Sequence, residues 1–272
     1  KTIPLSYLKR LPRYREVANV LVKNGFGFVL SSVGSRHPWL LLYRHRQGLN
    51  LTDSLPKRLR QCCEELGPTF VKLGQLLSTR ADLLSREYID ELEKLQDNVP
   101  PIPIETVTAV LARDGLDCRA VFSAFEPLPI AAGSIGQVHK AALIDGTQVI
   151  VKVKRPGIDR QVAIDLAIIM DLASYAEKHH RWAKHYRISE LIEELATALC
   201  NELDFRKEAQ NVQRFKQNFA SNPHVIIPGV FWQYSTENVL VMEYVPGIKI
   251  SDITAIQAGN YDVGRIVNHL AD

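Results

Sequence analysis

The chain opens with apolar positions at helical spacing. Residues 13–33 carry Val17, Val20, Leu21 and Phe28 with Lys and Arg between them, which predicts an amphipathic basic helix. Such a stripe either lies on a membrane surface or docks on the body of the domain with its charges in water. A second helix is expected over 53–66, closed by Gly67-Pro68. Phe70, Val71, Leu73, Leu76 and Leu77 then form another helical stripe, and shorter helices are expected over 86–96 and 104–113. Between those two, Asn98-Val-Pro-Pro-Ile-Pro103 is a breaker and marks a boundary.

After Gly115 the period changes. Segments 122–129, 135–143 and 147–154 are rich in β-branched residues and read as three strands, with Asp145-Gly146 as the hairpin turn between the last two. Arg155-Pro156-Gly157 ends the third. Long helices are expected over 159–178 and 188–219, further strands over 225–232 and 239–244, and two closing helices near Ser251 and Asp262. Helices, then three strands, a long helical stretch and two more strands describe an α+β fold of the kind found in the small lobe of a protein kinase, a five-stranded antiparallel sheet with a long helix. A helical extension precedes it.

Charge and composition narrow the picture. The chain has 272 residues, 46% of them hydrophobic and 23% charged, which suits a folded globular protein. Its net charge is only +3, but residues 1–60 hold 12 Lys/Arg against 2 Asp/Glu, a balance of +10, so the remainder sums to −7. A basic N-terminal region on a mildly acidic body points to an anionic partner, and no nucleic-acid partner is expected. No apolar run has the length of a membrane span, and no signal peptide is visible, so the sequence reads as soluble or peripheral. It begins with Lys1 rather than Met, as a fragment or processed chain would. Cys62, Cys63, Cys118 and Cys200 form no metal-ligand spacing and are expected to be reduced and mostly buried. His179, His180 and His185 sit in the stretch EKHHRWAKHYR, which reads as a solvated basic connector rather than a metal cluster.

Five motifs carry chemistry. The small-residue run from Ala131 to Val138, with Gly133, Ser134 and Gly136, lies between two strands, where backbone N–H groups can approach phosphates; taken alone it reads first as a plain structural turn. Val149-Ile-Val-Lys152 places a Lys in an apolar strand, where it needs an anionic partner. Lys140, Lys152 and Lys154 alternate along the strands, so alternation alone does not separate Lys152 from Lys154; the match of VIVK to the kinase VAIK pattern does. The acidic run Asn201-Glu202-Leu-Asp204-Phe-Arg-Lys-Glu208 offers it a partner: Glu208 is expected, with Glu202 second. Leu240-Val-Met-Glu243-Tyr-Val245-Pro-Gly247 has the form of a kinase hinge, whose backbone at Glu243 and Val245 would meet an adenine edge, or of an ordinary edge strand with a turn. Finally, Lys72, Gly74 and Gln75 breach an apolar helix, as a close contact, a site or a simple kink would.

In this order the motifs resemble the UbiB/AarF family of atypical kinase-like proteins. The resemblance runs from about residue 50 to the end through ELGPTFVKLGQLLSTRADLL, AAGSIGQVH, KVKRPGI and ELDFRKEAQN. It implies a kinase-like fold, ATP and magnesium binding, and support of ubiquinone or related isoprenoid-quinone biosynthesis. It also implies a protein peripheral to the bacterial inner membrane, on its cytoplasmic side, or to the organelle equivalent. ATP would meet Ala131, Ala132, Gly133, Ser134, Val138, Lys152, Glu243 and Val245, with Lys152 and Glu208 as the catalytic pair. The KxGQ residues Lys72, Gly74 and Gln75, together with Glu202 and Asp204, would restrict the active site and exclude ordinary protein substrates. The implied partners are ATP, an anionic membrane surface, and quinone-biosynthesis proteins or lipid precursors. The linear organisation expected is a basic region over 1–48, a helical extension with KxGQ over 49–114, the kinase-like small lobe over 115–247, and the start of a truncated large lobe over 248–272. The family's catalytic Asp and Asn and its magnesium-binding motif have no counterpart before Asp272, so no metal ligand is assigned here and this chain is expected to bind nucleotide weakly without turning it over. The whole polypeptide would act as an ATPase or small-molecule kinase; the alternative is a nucleotide-responsive scaffold or lipid-binding pseudokinase.

Overall fold

The computed structural model describes residues 11–27, 53–95, 99–259 and 261–271. Its helices in chain order are α1 (Leu11–Lys23), α2 (Leu55–Leu66), α3 (Pro68–Ser78), α4 (Arg86–Leu92), α5 (Ile104–Arg113), α6 (Cys118–Val121), α7 (Ile158–His179), α8 (Arg181–His185), α9 (Ile188–Leu203), α10 (Phe205–Asn218), α11 (Ile253–Ala258) and α12 (Val263–Ala271). The strands are β1 (Phe122–Phe125), β2 (Ala131–Ala132), β3 (Gly136–Leu143), β4 (Gln148–Lys154) and β5 (Val239–Glu243). The fold is α+β with a five-stranded sheet, as the sequence pattern predicts.

The chain forms two compact units that interleave along the sequence. The first takes residues up to Ile102, then Ala132–Gln137 and Lys154–Leu203; the second takes Pro103–Ala131, Val138–Val153 and Asp204–Asp272.

The first unit is helical. α1, α2, α3, α4, α7 and α9 contribute Val17, Val20, Cys62, Leu66, Phe70, Leu92, Ile168 and Ile192 to one core. The basic helix expected over 13–33 is therefore a docked one over its described part, because its apolar stripe is spent inside the protein; residues 28–33 lie outside the described residues. Gly67, at φ +90°, turns the chain between α2 and α3 and carries Pro68 straight into the first turn of α3. At the centre of the unit, Asp165 of α7 is fully buried and accepts from Arg13 Nε at 2.7 Å, Arg13 Nη2 at 3.0 Å and Thr69 Oγ1 at 3.1 Å. The stretch read as a basic connector contains the short α8, anchored by the buried Ala183. All four thiols are free; Cys62 and Cys63 are buried, but Cys200 is exposed.

The second unit is built on the sheet, in the order β1-β3-β4-β5, with β2 pairing β3 off that path. β4 and β5 run antiparallel, with Val149 opposite Glu243 and Lys152 opposite Leu240. Val149, Val151 and Val153 are fully buried and Lys152 is half-buried, the alternation expected of a pleated strand.

Two expectations fail here for local reasons. The helix expected over 188–219 is two helices. Asp204 leaves the helical region at φ −105°, ψ 98°, and its carboxylate accepts the Arg206 N–H at 3.0 Å, which starts α10 afresh. Segment 225–232 is not a strand: it makes a single bridge, Val230 to Met242, and runs into a 3-10 turn at Trp232–Tyr234. Its backbone bonds go to the outer edge of β5, Phe231 N–H to Val241 O and Glu243 N–H to Gly229 O. The fifth strand is instead the short β2. Among the described residues no helix is long and apolar enough to cross a membrane.

Candidate functional site

Lys152 organises the second unit's candidate site. Its ammonium stands 2.6 Å from Glu208 Oε2 of α10 and 4.7 Å from the centre of the Phe205 ring. The restart at Asp204 sets this geometry. It fixes Phe205, fully buried, as the first residue of α10, with its N–H on Glu237 O at 3.2 Å. Glu208 follows one turn later on the same face, under the Lys. Both charged side chains keep about a third of their surface, 28% for Lys152 and 34% for Glu208, so the pair is open to a ligand rather than sealed.

The neighbouring lysine does something else. Lys154 is 3% exposed and, within the first unit, donates to Leu203 O at 2.8 Å and to Asp159 Oδ1 at 3.0 Å. It satisfies a carbonyl at the C-terminus of α9, where a cation also meets the negative end of the helix dipole. Structure thus separates the two lysines that strand alternation left equivalent: one ties a helix end, the other pairs with a partly exposed acid.

At the end of β5, Glu243 N–H bonds Gly229 O at 2.8 Å and Tyr244 N–H bonds Gln148 O at 3.0 Å. The Glu243 carboxylate takes the Gly229 N–H at 3.1 Å. Lys140 lies 4.2 Å from the Tyr244 ring centre, and Val245 is exposed.

The small-residue loop is closed more tightly than its sequence suggests. In the first unit, Gly133 N–H donates to Gly136 O at 2.8 Å, and Ser134 is buried. Arg155 holds this turn through its N–H to Ile135 O and its Nε to Gly133 O, both at 2.8 Å, and its Nη2 reaches Pro100 O at 2.8 Å. Gln137, fully buried, brackets Ile102 from both sides, accepting its N–H at 2.8 Å and donating to its carbonyl at 3.2 Å. In the second unit Ile130 N–H meets Val138 O at 2.8 Å. Arg155 and Gln137 were in motifs singled out by sequence but received no role; a Gln inside an apolar strand and an Arg before Pro-Gly were the available signals.

The KxGQ residues are engaged within the first unit. Lys72 Nζ is 3.0 Å from Glu202 Oε1, and Gln75 Nε2 donates to Leu95 O at 3.2 Å. Gly74 explains its own presence: a Cβ there would collide with Leu95 Cδ1 and press on Cys63 Sγ at 3.3 Å and Leu92 Cδ2 at 3.4 Å. Glu202 therefore belongs with Lys72, Glu208 with Lys152, and Asp204 caps α10.

A family profile for the ABC1 atypical kinase-like domain matches residues 94–272. The chain belongs to this ABC1 atypical kinase-like family. It is 40% identical over 211 residues to "Probable protein kinase UbiB" of Cellvibrio japonicus, covering 77% of this chain and 38% of that protein. It is 42% identical over 211 residues to "Protein ACTIVITY OF BC1 COMPLEX KINASE 7, chloroplastic" of Arabidopsis thaliana, covering 77% of this chain and 30% of that one. Among solved structures, the Rv3197–erythromycin complex from Mycobacterium tuberculosis matches with a TM-score of 0.51 and 31% identity, over 70% of this chain and 48% of that one. The chain spans less than half the length of the ABC1-family relatives it matches.

Proposed function

We propose that this chain supplies the ATP-binding residues of an ABC1-family atypical kinase or ATPase. The observation that carries the reading is the Lys152–Glu208 pair at 2.6 Å, on a sheet strand and a capped helix, in a chain of this family. Such a pair holds the Lys ready for the α- and β-phosphates of a nucleotide. The adenine edge would meet the carbonyl of Glu243 and the N–H of Val245, since the N–H groups of Glu243 and Tyr244 are engaged elsewhere. Ala131, Ala132, Gly133, Ser134 and Val138 would flank the phosphates, with one donor fewer than an open loop because Gly133 N–H is already used. Lys72, Gly74, Gln75, Glu202 and Asp204 would act as the selectivity segment. Magnesium would supply charge neutralisation to a bound nucleotide, and none of the residues named above would hold it. The division at 48, 114 and 247 remains the organisation we propose along the sequence.

Lys152→Ala is expected to weaken ATP binding by about tenfold or more, the loss of a charge-assisted contact worth roughly 1.5–3 kcal/mol. Glu208→Gln should weaken it less, because the Lys keeps its charge. Calorimetric titration of ATP, with and without magnesium, reads both; equal affinity in wild type and Lys152→Ala removes the reading.

The setting we propose is isoprenoid-quinone biosynthesis at an anionic membrane surface, a role suggested by the family resemblance and by the +10 balance over residues 1–60. With Val17 and Val20 buried, attraction would rest on charge, about 1 kcal/mol per basic residue near the surface and screened by salt. Co-sedimentation with anionic vesicles is expected to fall as salt is added and to be absent with neutral vesicles; salt-insensitive binding to both counts against it.

A further inference from the structure

A half-open hollow of about 510 Å³ lies in the first unit. Its walls are Leu59 and Cys63 of α2, Leu73 and Leu77 of α3, Ala176 of α7 and Ile192 of α9. Burial pushes the Cys62 and Cys63 thiols up to about 12, so neither brings a charge to the wall. Packed interiors leave few voids larger than a water molecule. A hollow of this size falls in the range of small-molecule sites, roughly 300–1,000 Å³. Its lining offers almost nothing for water to bond, so it favours an apolar occupant.

The lining also includes His180 and Trp182, and Trp182 is 57% exposed, so the hollow meets solvent there. There it shares His180 with a second, polar depression of about 570 Å³ formed by Lys178, His179, Arg181 and Lys184 with Ser174 and Glu177. Glu177 is the acid in this rim. Its carboxylate accepts the Ser189 N–H at 2.8 Å at the start of α9, which turns part of it away from a ligand. Lys178, Arg181 and Lys184 are exposed and leave the rim with an excess of positive charge. An apolar hollow bordered by a cationic rim matches a molecule with a long hydrocarbon tail and an anionic head.

We propose that the first unit binds a single-chain anionic amphiphile, with its tail between α2, α3, α7 and α9 and its carboxylate or phosphate head at Lys178, Arg181 and Lys184. The site stands on the first unit alone and does not depend on the nucleotide reading, so its failure leaves the ATP titration unaffected.

The test titrates the chain with hexadecanoate, hexadecyl phosphate, hexadecanol and hexadecylamine, each below its critical micelle concentration. A bromine-labelled hexadecanoate should quench fluorescence saturably, and the quenching should vanish in Trp182→Phe. Paired Lys178→Glu and Lys184→Glu, both at exposed positions, should weaken the two anionic ligands by about tenfold or more and leave the alcohol unchanged. Ala176→Phe or Leu73→Phe should abolish binding of all tails, with circular dichroism confirming that at least one variant folds. Comparison of the acid with the phosphate identifies the preferred head. The proposal is overturned by non-saturable binding, by amine binding as tightly as acid, or by affinity that survives both filling variants with their folds intact.

Discussion

Asp165→Ala is expected to cost the protein about 3–5 kcal/mol of stability, the range for breaking a buried ion pair from one side. Asp165 has no exposed surface and holds Arg13 through both carboxylate oxygens while also accepting from Thr69. Burial pushes its carboxyl up from the ordinary value, and Arg13 and Thr69 pull in the other direction. Removing the acid leaves a guanidinium whose side chain is only 14% exposed with Glu16 as its remaining carboxylate, and leaves the Thr69 hydroxyl without its acceptor. The pair joins α1, α3 and α7, so the loss should loosen the docking of α1 first. Urea denaturation followed by circular dichroism measures the loss, and faster hydrogen exchange in α1 locates it. Replacing both partners by apolar residues, Arg13→Met with Asp165→Leu, should cost much less than Asp165→Ala alone, because no charge is then stranded. A loss under about 1 kcal/mol for the single variant would mean that water or Glu16 replaces the pair.

The second large effect is expected at Phe205. The ring is fully buried at the start of α10 and lies beneath the Lys152 ammonium. Phe205→Ala should cost about 3–5 kcal/mol through the cavity it leaves. Phe205→Leu fills most of that space but has no π-face, so it should cost far less stability while removing the cation–π contact, worth about 0.5–1 kcal/mol at an exposed site and more when dry. If ATP binds as proposed, Phe205→Leu should lower affinity by only a few-fold at unchanged fold. Thermal unfolding and calorimetry separate the two effects. Equal stability for alanine and leucine would show that the ring is not packed as described.

Three strands of the sheet were legible because their signals are short-range, whereas the Lys152–Glu208 pair, 56 positions apart, was legible only through the match of VIVK to the kinase pattern. Asp145-Gly146 places a hairpin, and Val149, Val151 and Val153 alternate around Lys152, so β3, β4 and β5 could be read with their boundaries nearly in place. The break at Asp204 was not, although Asp is a good N-cap. Nothing in the stretch Ile188–Asn218 interrupts helical spacing, and the choice is made by Phe205, which must enter the core, and by its N–H on Glu237 O, 32 positions on. The loss of strand 225–232 has a similar cause. Its β-branched residues favour extension, but only the edge of β5 is there to pair, and it does so through a few bonds. The two lysines of β4 look alike in sequence because their difference lies in their partners, a helix-end carbonyl for Lys154 and a carboxylate for Lys152. Lys72 and Glu202 were both singled out, but that they meet depends on how α3 packs in the first unit rather than on spacing.

The interleaving of the two units sets an order of events during synthesis. The core of the first unit needs Val17 from α1 and Ile192 from α9, with the first stretch of the second unit, Pro103–Ala131, made in between. At bacterial or eukaryotic elongation rates of about 5–20 residues per second, α1 waits on the order of ten to forty seconds for its last partner. Until then its apolar stripe, on a segment carrying Arg13, Arg15 and Lys23, has only the partners of α2, α3 and α4 to cover it. Neither unit is a contiguous stretch of the message, so no single cut in the gene releases one of them whole.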